Sequence, residues 1–170
     1  MKISTNLYVL LALLLCLNTI AQNKINYEKE PFKDLLEKAK SQKKLVAIMF
    51  HATWCEHCEK MKTEVITDST VYNYFNKNFI NATYDVDAKE NKALVAKYKI
   101  KGLPSFQFID ENENIFLIVN GELTPKQLIQ YGKLAEKSKV VLPQIKEQFY
   151  KDPSNSQNAL GYITSLNTCG

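Results

Sequence analysis

Hydrophobic residues along the chain alternate between helical spacing and short continuous runs. Four apolar side chains recur at intervals of three and four residues after Pro31, which predicts an amphipathic helix: Phe32, Leu35, Leu36 and Ala39. The unbroken apolar run Leu45–Phe50 follows, and a run without alternation is typical of a strand buried on both faces of a sheet. The pattern therefore opens with a helix and a central strand.

The same alternation continues through the middle of the chain. Helical spacing from Cys55 to Val65 is broken at Thr67–Asp68 and resumes, and the run Phe79–Val86 is predicted to form a strand. A helix over Glu90–Tyr98 follows, and the side chain of Asp87 is suited to cap its first turn. We expect this helix to end before the next Gly and Pro residues.

A hairpin and a last helix complete the pattern. The runs Ser105–Ile109 and Ile115–Val119 are joined by the polar segment Asp110–Asn114, which predicts a β-hairpin. Thr124 and Pro125 provide a cap and a first helical residue. The order α-β-α-β-α-β-β-α predicts an α/β fold, with a central mixed β-sheet of about four to five strands and helices on both faces.

The last 33 residues are harder to assign from their pattern. The apolar side of the last helix is predicted to include Leu128, Ile129, Tyr131 and Leu134, but the spacing loosens after about Ser138. The segment Lys151–Ser156 has the composition of a linker. Residues 138–170 are therefore expected to form a helical or linker extension of unknown role.

The first residues are typical of a secretory signal peptide. Lys2 precedes an apolar run from Leu7 to Leu17, which is shorter than the roughly 20 residues that span a bilayer as a helix. Small residues near Ala21 favour cleavage before Gln22, so residues 1–21 are predicted to be removed. An uncleaved membrane anchor, or lipidation at Cys16, are the alternatives.

Composition and charge limit the classes of function. The chain has 170 residues, of which 45% are hydrophobic, which suits one folded domain and excludes extended disorder. The net charge of +4 comes from lysines interspersed with acidic residues, so nucleic acid is not an expected partner. Removal of the leader leaves Cys55, Cys58 and Cys169 in an exported, oxidising compartment, where a thiol pair either forms a structural disulfide or is cycled.

The segment Trp54-Cys55-Glu56-His57-Cys58 carries the candidate chemistry. Two cysteines separated by two residues at the start of a helix lie close enough to form a disulfide. Cys55 is expected at the helix N-terminus, where unpaired N–H groups and the helix dipole favour a thiolate. Cys58 is expected to lie deeper and to remain a thiol. The pair is therefore suited to thiol–disulfide exchange, and a protonated His57 would favour the Cys55 thiolate further.

From Pro31 to Glu136 the chain resembles a thioredoxin-fold thiol:disulfide oxidoreductase. Trp54 matches the Trp that precedes the first Cys of the family, and Gly102-Leu103-Pro104 matches its cis-proline loop. The segment 49–61 is similar to an exported branch related to the reductase domains of transmembrane electron carriers. The resemblance places a thioredoxin-like domain at residues 31–137, after a polar lead-in at residues 22–30.

The resemblance also implies roles for individual residues. Cys55 would be the nucleophile and Cys58 the resolving thiol of a redox-active disulfide, while Trp54, Glu56 and His57 would tune the site. Leu103 and a cis Pro104 would face Cys55 and bind substrate backbone. No small cofactor is required. The implied partners are protein thiols or disulfides and a membrane-bound electron donor or acceptor, in the periplasm or an equivalent envelope space.

Two departures from the family leave the direction of electron flow open, and two other functions are alternatives to thiol–disulfide exchange. Thioredoxins carry a buried Asp and a Lys at positions that match Met49 and the vicinity of Thr83, whereas a His before the second Cys resembles the more oxidising members. One alternative is a metal-handling protein with Cys55, Cys58 and His57 as ligands, supported by His51. The other is a redox-inert binding module with the same fold.

Overall fold

The computed structural model of the protein describes residues 23–169, apart from the side chains of residues 162 and 165–169. The predicted leader, residues 1–21, lies outside this range. The strands are β1 (Leu45–His51), β2 (Phe79–Asp85), β3 (Ser105–Ile109) and β4 (Ile115–Asn120). The helices are α1 (Phe32–Gln42), α2 (Glu56–Lys60), α3 (Ser69–Asn78), α4 (Lys92–Tyr98), α5 (Pro125–Lys151) and α6 (Ser156–Cys169).

The four strands form one mixed sheet in the order β2-β1-β3-β4. Strand β1 pairs in parallel with β2 and antiparallel with β3, and β3 pairs antiparallel with β4. Residues Leu45–Phe50 of β1 are all buried, as expected for a strand with neighbours on both edges and helices on both faces. The predicted α/β fold and hairpin are confirmed.

Helices cover both faces of this sheet. On one face, Phe75 of α3 and Leu128 of α5 belong to a core cluster with Phe79 and Phe108 of the strands. On the other face, the buried side of α1, which includes Leu35, packs with β1 and with the end of α4. The spacing that predicted α1 therefore corresponds to its buried face.

Helix α2 continues into a π-helical turn, Met61–Val65. The helical structure ends there, and α3 begins at Ser69. The predicted break at Thr67–Asp68 is confirmed, and Asp68 is the N-cap of α3, accepting hydrogen bonds from the N–H groups of Thr70 and Val71. A carboxylate at this position satisfies donors that the first helical turn leaves unpaired.

The segment before α1 packs against the domain rather than extending from it. Ile25 is buried, and its N–H donates to the carbonyl of Ile66 at 3.2 Å. The N–H of Glu28 donates to the carbonyl of Asn81 at 2.9 Å, beside the edge strand β2. The composition of this segment is polar, but the buried side chain of Ile25 and hydrogen bonds such as that from the N–H of Asn26 to Asn76 Oδ1, at 2.8 Å, hold it in place.

The C-terminal region is more regular than its pattern indicated. Helix α5 begins with a capping box between Thr124 and Gln127 and continues to Lys151, with Pro143 inside it. Residues 152–155 separate it from α6, where the sequence predicted a linker. The prediction that Leu134 faces inward is wrong: this side chain is 41% exposed and lines an apolar groove between α5 and α6.

Within the described residues, none of the helices has the length and hydrophobicity required to cross a bilayer.

Candidate active site

The two cysteines of the site lie where β1 leads into α2. Cys55 is the N-cap residue of α2, and its Sγ accepts a hydrogen bond of 3.1 Å from the N–H of Cys58. The two residues form a disulfide, with Cα atoms 5.2 Å apart. Both are buried in this form, but Cys58 has no exposed surface, whereas Cys55 retains a small exposed area. The predicted helix start and the difference in depth are both confirmed.

A groove of about 440 Å³ opens beside Cys55. Its lining is mostly apolar and comes from three parts of the chain: Trp54, Cys55, Glu56 and His57, then Val86 and Val95, then Ile100, Lys101, Gly102 and Leu103. Cys55 and Leu103 therefore face the same space. The Leu103–Pro104 peptide bond is cis, as the resemblance implied.

Trp54 lines the groove and forms a hydrogen bond with a residue of the neighbouring loop. It is 72% exposed, and its Nε1 donates a hydrogen bond of 2.7 Å to Asp87 Oδ2. The prediction that Asp87 caps a helix is wrong, because the short 3-10 turn before α4 begins after Ala88 and has no side-chain cap. The carboxylate of Asp87 is instead turned to the indole, a long-range partner that local spacing does not reveal.

The side chain of His57 is mostly exposed but pairs with Glu122, a residue that no local pattern in the sequence identifies. Its Nδ1 lies 2.8 Å from Glu122 Oε2, and Lys60 forms an ion pair with the other oxygen of the same carboxylate. Hydrogen bonds from Lys60 and then from His57 lower the pKa of Glu122. We refer to Glu122, His57 and Lys60 as the Glu122 cluster.

The topology contains a signal that could have identified Glu122. Ser105, the residue after the cis-proline, pairs with Asn120 at the end of β4. Glu122 follows two residues later, so the hairpin returns it to the cis-proline loop and to the cysteines. Because 65 residues separate it from His57, this proximity depends on strand register and not on local spacing.

The position that matches the buried Asp of thioredoxins is apolar here. Met49 is fully buried, its Sδ accepts a hydrogen bond of 3.6 Å from Tyr27 Oη, and its carbonyl accepts one of 3.2 Å from Thr83 Oγ1. Nearby, Lys62 Nζ lies 3.1 Å from His51 Nδ1. Burial, followed by the charge of Lys62, lowers the pKa of His51, so the imidazole accepts this hydrogen bond in its neutral form.

The histidines proposed as alternative metal ligands have separate partners. His57 pairs with Glu122, His51 pairs with Lys62, and both sulfurs are engaged in the disulfide. Among the described side chains, no group of three or more His, Cys, Asp or Glu residues is placed to hold a metal ion. The side chain of Cys169 is not among those described.

Comparison with known proteins is consistent with this geometry. The thioredoxin-like domain profile matches residues 32–136. A disulfide isomerase from Dictyostelium discoideum is 28% identical over 88 residues, which cover 52% of this chain and 24% of that protein. The thiol:disulfide interchange protein DsbD of Colwellia psychrerythraea is 31% identical over 106 residues, which cover 61% of this chain and 16% of that protein.

Solved structures show the same fold over most of the chain. The solution structure of a Bacteroides thetaiotaomicron protein assigned as a disulphide isomerase has a TM-score of 0.60 and 28% identity, and the match covers 69% of this chain and 98% of that one. The DsbH oxidoreductase has a TM-score of 0.59 at 20% identity, with 70% and 94% covered. The chain spans a quarter or less of the length of the curated relatives named above. It belongs to the thioredoxin-like domain family.

Proposed function

We propose that this protein is an exported thiol:disulfide oxidoreductase in which Cys55 is the nucleophile and Cys58 the resolving thiol. The observation that carries the proposal is the Cys55–Cys58 disulfide at the N-terminus of α2, with Cys55 facing the groove that Leu103 also lines. An inert structural disulfide would not need this groove, and a loop closed by three residues contributes little stability.

The position of each sulfur supports its proposed role. In the reduced protein, the N–H of Cys58 and the end of α2 would favour a thiolate at Cys55, which is the sulfur nearer the groove. Cys58 has no exposed surface, so a substrate disulfide reaches Cys55 first. These differences support attack by Cys55 and resolution by Cys58.

The exchange proceeds through a mixed disulfide. The Cys55 thiolate attacks one sulfur of a substrate disulfide, forms a Cys55–substrate bond and releases the other substrate sulfur as a thiolate. Cys58 then loses its proton and attacks Cys55, which releases the second substrate sulfur and forms the Cys55–Cys58 disulfide. Two electrons pass to the substrate, and a partner dithiol restores the pair by the same steps in reverse. A substrate dithiol attacking the oxidised pair gives the opposite direction.

Substrate binding is proposed at the cis-proline loop. Leu103 lines the groove beside Cys55, and the apolar walls formed by Val86, Val95 and Ile100 suit an extended peptide that carries apolar side chains next to its cysteine. We assign Trp54 and Glu56 to the mouth of the same groove, where they contact the substrate and tune access to the sulfur.

Export rests on the predicted leader at residues 1–21 and on the need for an oxidising compartment. The similarity to DsbD supports protein thiols as partners, and a membrane-bound electron donor or acceptor would reset the pair. Mass determination of protein recovered from the periplasm of a bacterial host tests the leader: the expected N-terminus is Gln22, and an intact residue 1 contradicts cleavage.

Trapping of the mixed disulfide tests the redox chemistry. With Cys169→Ser as the common background, Cys58→Ser is expected to form a stable adduct with oxidised glutathione at Cys55, detected by intact mass. Cys55→Ser is the matched control and should form little adduct, because Cys58 is inaccessible. Failure of Cys58→Ser to form the adduct supports a redox-inert binding module, and metal retained only when both cysteines are present supports a metal-handling protein.

A further inference from the structure

The Glu122 cluster joins α2 to the loop that follows β4. Glu122 Oε2 lies 2.8 Å from His57 Nδ1, and Oε1 pairs with the ammonium of Lys60. Glu122 is the more enclosed partner, with 28% of its side chain exposed against 68% for His57. One carboxylate therefore holds two side chains that flank Cys58 on the helix carrying the active cysteines.

The carboxylate is held in place by its neighbours on both sides. The N–H of Gly121 donates to the carbonyl of Pro104 at 2.8 Å. The N–H of Leu123 lies 3.2 Å from Met61 Sδ, and the Leu123 side chain is buried. Glu122 is thus fixed between the cis-proline loop and the helix after the cysteines, so its charge has a defined position relative to the disulfide.

Positive charge near Cys55 favours the reduced protein. Reduction of the disulfide by glutathione consumes two glutathione thiols, yields glutathione disulfide and leaves Cys58 as a thiol and Cys55 partly as a thiolate. Cationic neighbours stabilise that thiolate and raise the reduction potential, whereas a nearby carboxylate has the opposite effect. Other charged groups around Lys60 are Glu56 and Glu64.

Granted the proposed exchange function, we propose that Glu122 is a positioning residue that lowers the reduction potential of the Cys55–Cys58 pair. It binds the imidazole of His57 and the ammonium of Lys60 to its own carboxylate, and so reduces the positive charge available to a Cys55 thiolate. The histidine between the cysteines is therefore prevented from making the pair as oxidising as it would otherwise be. This role belongs to a loop residue outside the Cys-x-x-Cys motif.

The test compares Glu122→Gln with the matched control Glu147→Gln. Glu147 also pairs with a lysine, Lys151 at 2.7 Å, but lies in the last turns of α5. The periplasmic protein is equilibrated with glutathione buffers at pH 7, and the redox state is read by thiol alkylation. Glu122→Gln is expected to shift the equilibrium about threefold to tenfold toward the reduced form, or about 15 to 30 mV. Glu147→Gln and Glu122→Asp should remain close to wild type.

Two further measurements separate an electrostatic role from a structural one. The difference between wild type and Glu122→Gln should shrink at about 1 M salt, where the screening length falls to roughly 3 Å. Lys60→Gln should lower the potential more in the Glu122→Gln background than in the wild type, because the ammonium then acts on Cys55 without a competing carboxylate. Both measurements use the oxidised and reduced forms of a folded protein.

Distinct outcomes overturn this role and the proposed function. If the wild-type pair exchanges with glutathione but Glu122→Gln behaves like Glu147→Gln, or shifts toward the oxidised form, the role of Glu122 is wrong and the exchange function stands. If Glu122→Gln fails to fold, Glu122→Ala is measured in its place, and a Glu122→Ala variant that behaves like Glu147→Gln overturns the role. A wild-type pair that does not exchange overturns the proposed function and this role with it.

Discussion

The indole N–H of Trp54 donates a 2.7 Å hydrogen bond to Asp87, which joins the loop after β1 to the loop after β2. Trp54 is the largest exposed side chain next to Cys55, and without this bond its ring would be free to rotate over the groove. The backbone of Asp87 is itself held, because its N–H donates to Asp85 Oδ1 at 3.0 Å. One side chain that lines the groove beside Cys55 is therefore held by a hydrogen bond from the neighbouring loop.

Asp87→Ala is expected to release the Trp54 ring and to raise KM for a peptide disulfide about twofold to fivefold, equivalent to roughly 0.5–1 kcal/mol for one exposed charge-assisted hydrogen bond. The chain contains one Trp, so fluorescence anisotropy reports on this ring alone, and it should fall in the variant. Asp87→Asn keeps an acceptor oxygen and should retain most of the anisotropy. Equal anisotropy in Asp87→Ala and wild type would show that the bond does not orient the ring.

Elements whose pattern follows from burial alone could be predicted from the sequence. The run Leu45–Phe50 is continuous because β1 has neighbours on both edges and helices on both faces, and the structure confirms that all of it is buried. The cysteine pair was placed at a helix start because the buried strand ends shortly before it. The break at Thr67–Asp68 was predictable because a carboxylate there competes with helix continuation and caps the next helix.

Features that depend on long-range register could not be predicted in this way. Asp87 has the local signature of a cap, but Trp54 provides a better partner from the neighbouring loop. Glu122 has no local signature, and only the pairing of Ser105 with Asn120 brings it to His57. The long extent of α5 was missed because the apolar pattern loosens after about Ser138, although tertiary contacts with α6 support the helix beyond that point.

Gly132 of α5 allows the close approach of an aromatic cluster on α3 and β2. A Cβ at this position would lie 2.8 Å from Tyr74 Cε1 and 3.3 Å from Phe79 Cε2. Gly132→Ala is therefore expected to lower the free energy of unfolding by about 1–3 kcal/mol, because the clash outweighs the better helix propensity of Ala. Urea unfolding of the oxidised protein measures the change.

Gly161→Ala is the matched control for that substitution. A Cβ at Gly161 of α6 would meet only Ile145 Cγ2 at 3.9 Å, an ordinary contact. Here the gain in helix propensity has no opposing clash, and the variant is expected to be more stable by about 0.5–1 kcal/mol. A Gly132→Ala variant as stable as Gly161→Ala would mean that Tyr74 moves aside at no cost.

Glu113 at the hairpin tip stabilises the end of α4 in a pH-dependent way. Its carboxylate accepts a 2.9 Å hydrogen bond from Tyr98 Oη and pairs with Lys97. The Lys97 hydrogen bond, and then that of Tyr98, lower the pKa of Glu113. Its contribution is therefore complete above the unfolded pKa of about 4.3 and is lost as the pH falls through the lower folded value.

Glu113→Gln is accordingly expected to reduce the free energy of unfolding by about 0.5–1.5 kcal/mol at pH 7 and by much less at pH 3. Glu90→Gln, at an exposed position on the 3-10 turn before α4, is the control and should have little effect at either pH. Urea unfolding at the two pH values measures both variants. If Glu113→Gln lowers the free energy of unfolding equally at pH 3 and pH 7, the charge of Glu113 is not the cause of the lost stability.

Met49 lies fully buried in β1, with Tyr27 Oη donating to its sulfur and the His51–Lys62 pair lining the same small cavity. Met49→Asp restores the acid that thioredoxins carry here, but without an established partner for its charge. Burial raises the pKa of the new carboxyl above the unfolded value of about 3.9, so the loss of stability should increase as the pH rises through that range, reaching about 2–4 kcal/mol at pH 8. Met49→Leu conserves volume and should lose less than about 1.5 kcal/mol at every pH. If the loss of stability in Met49→Asp does not grow between pH 4.5 and pH 8, the ammonium of Lys62 reaches the carboxylate and compensates its charge.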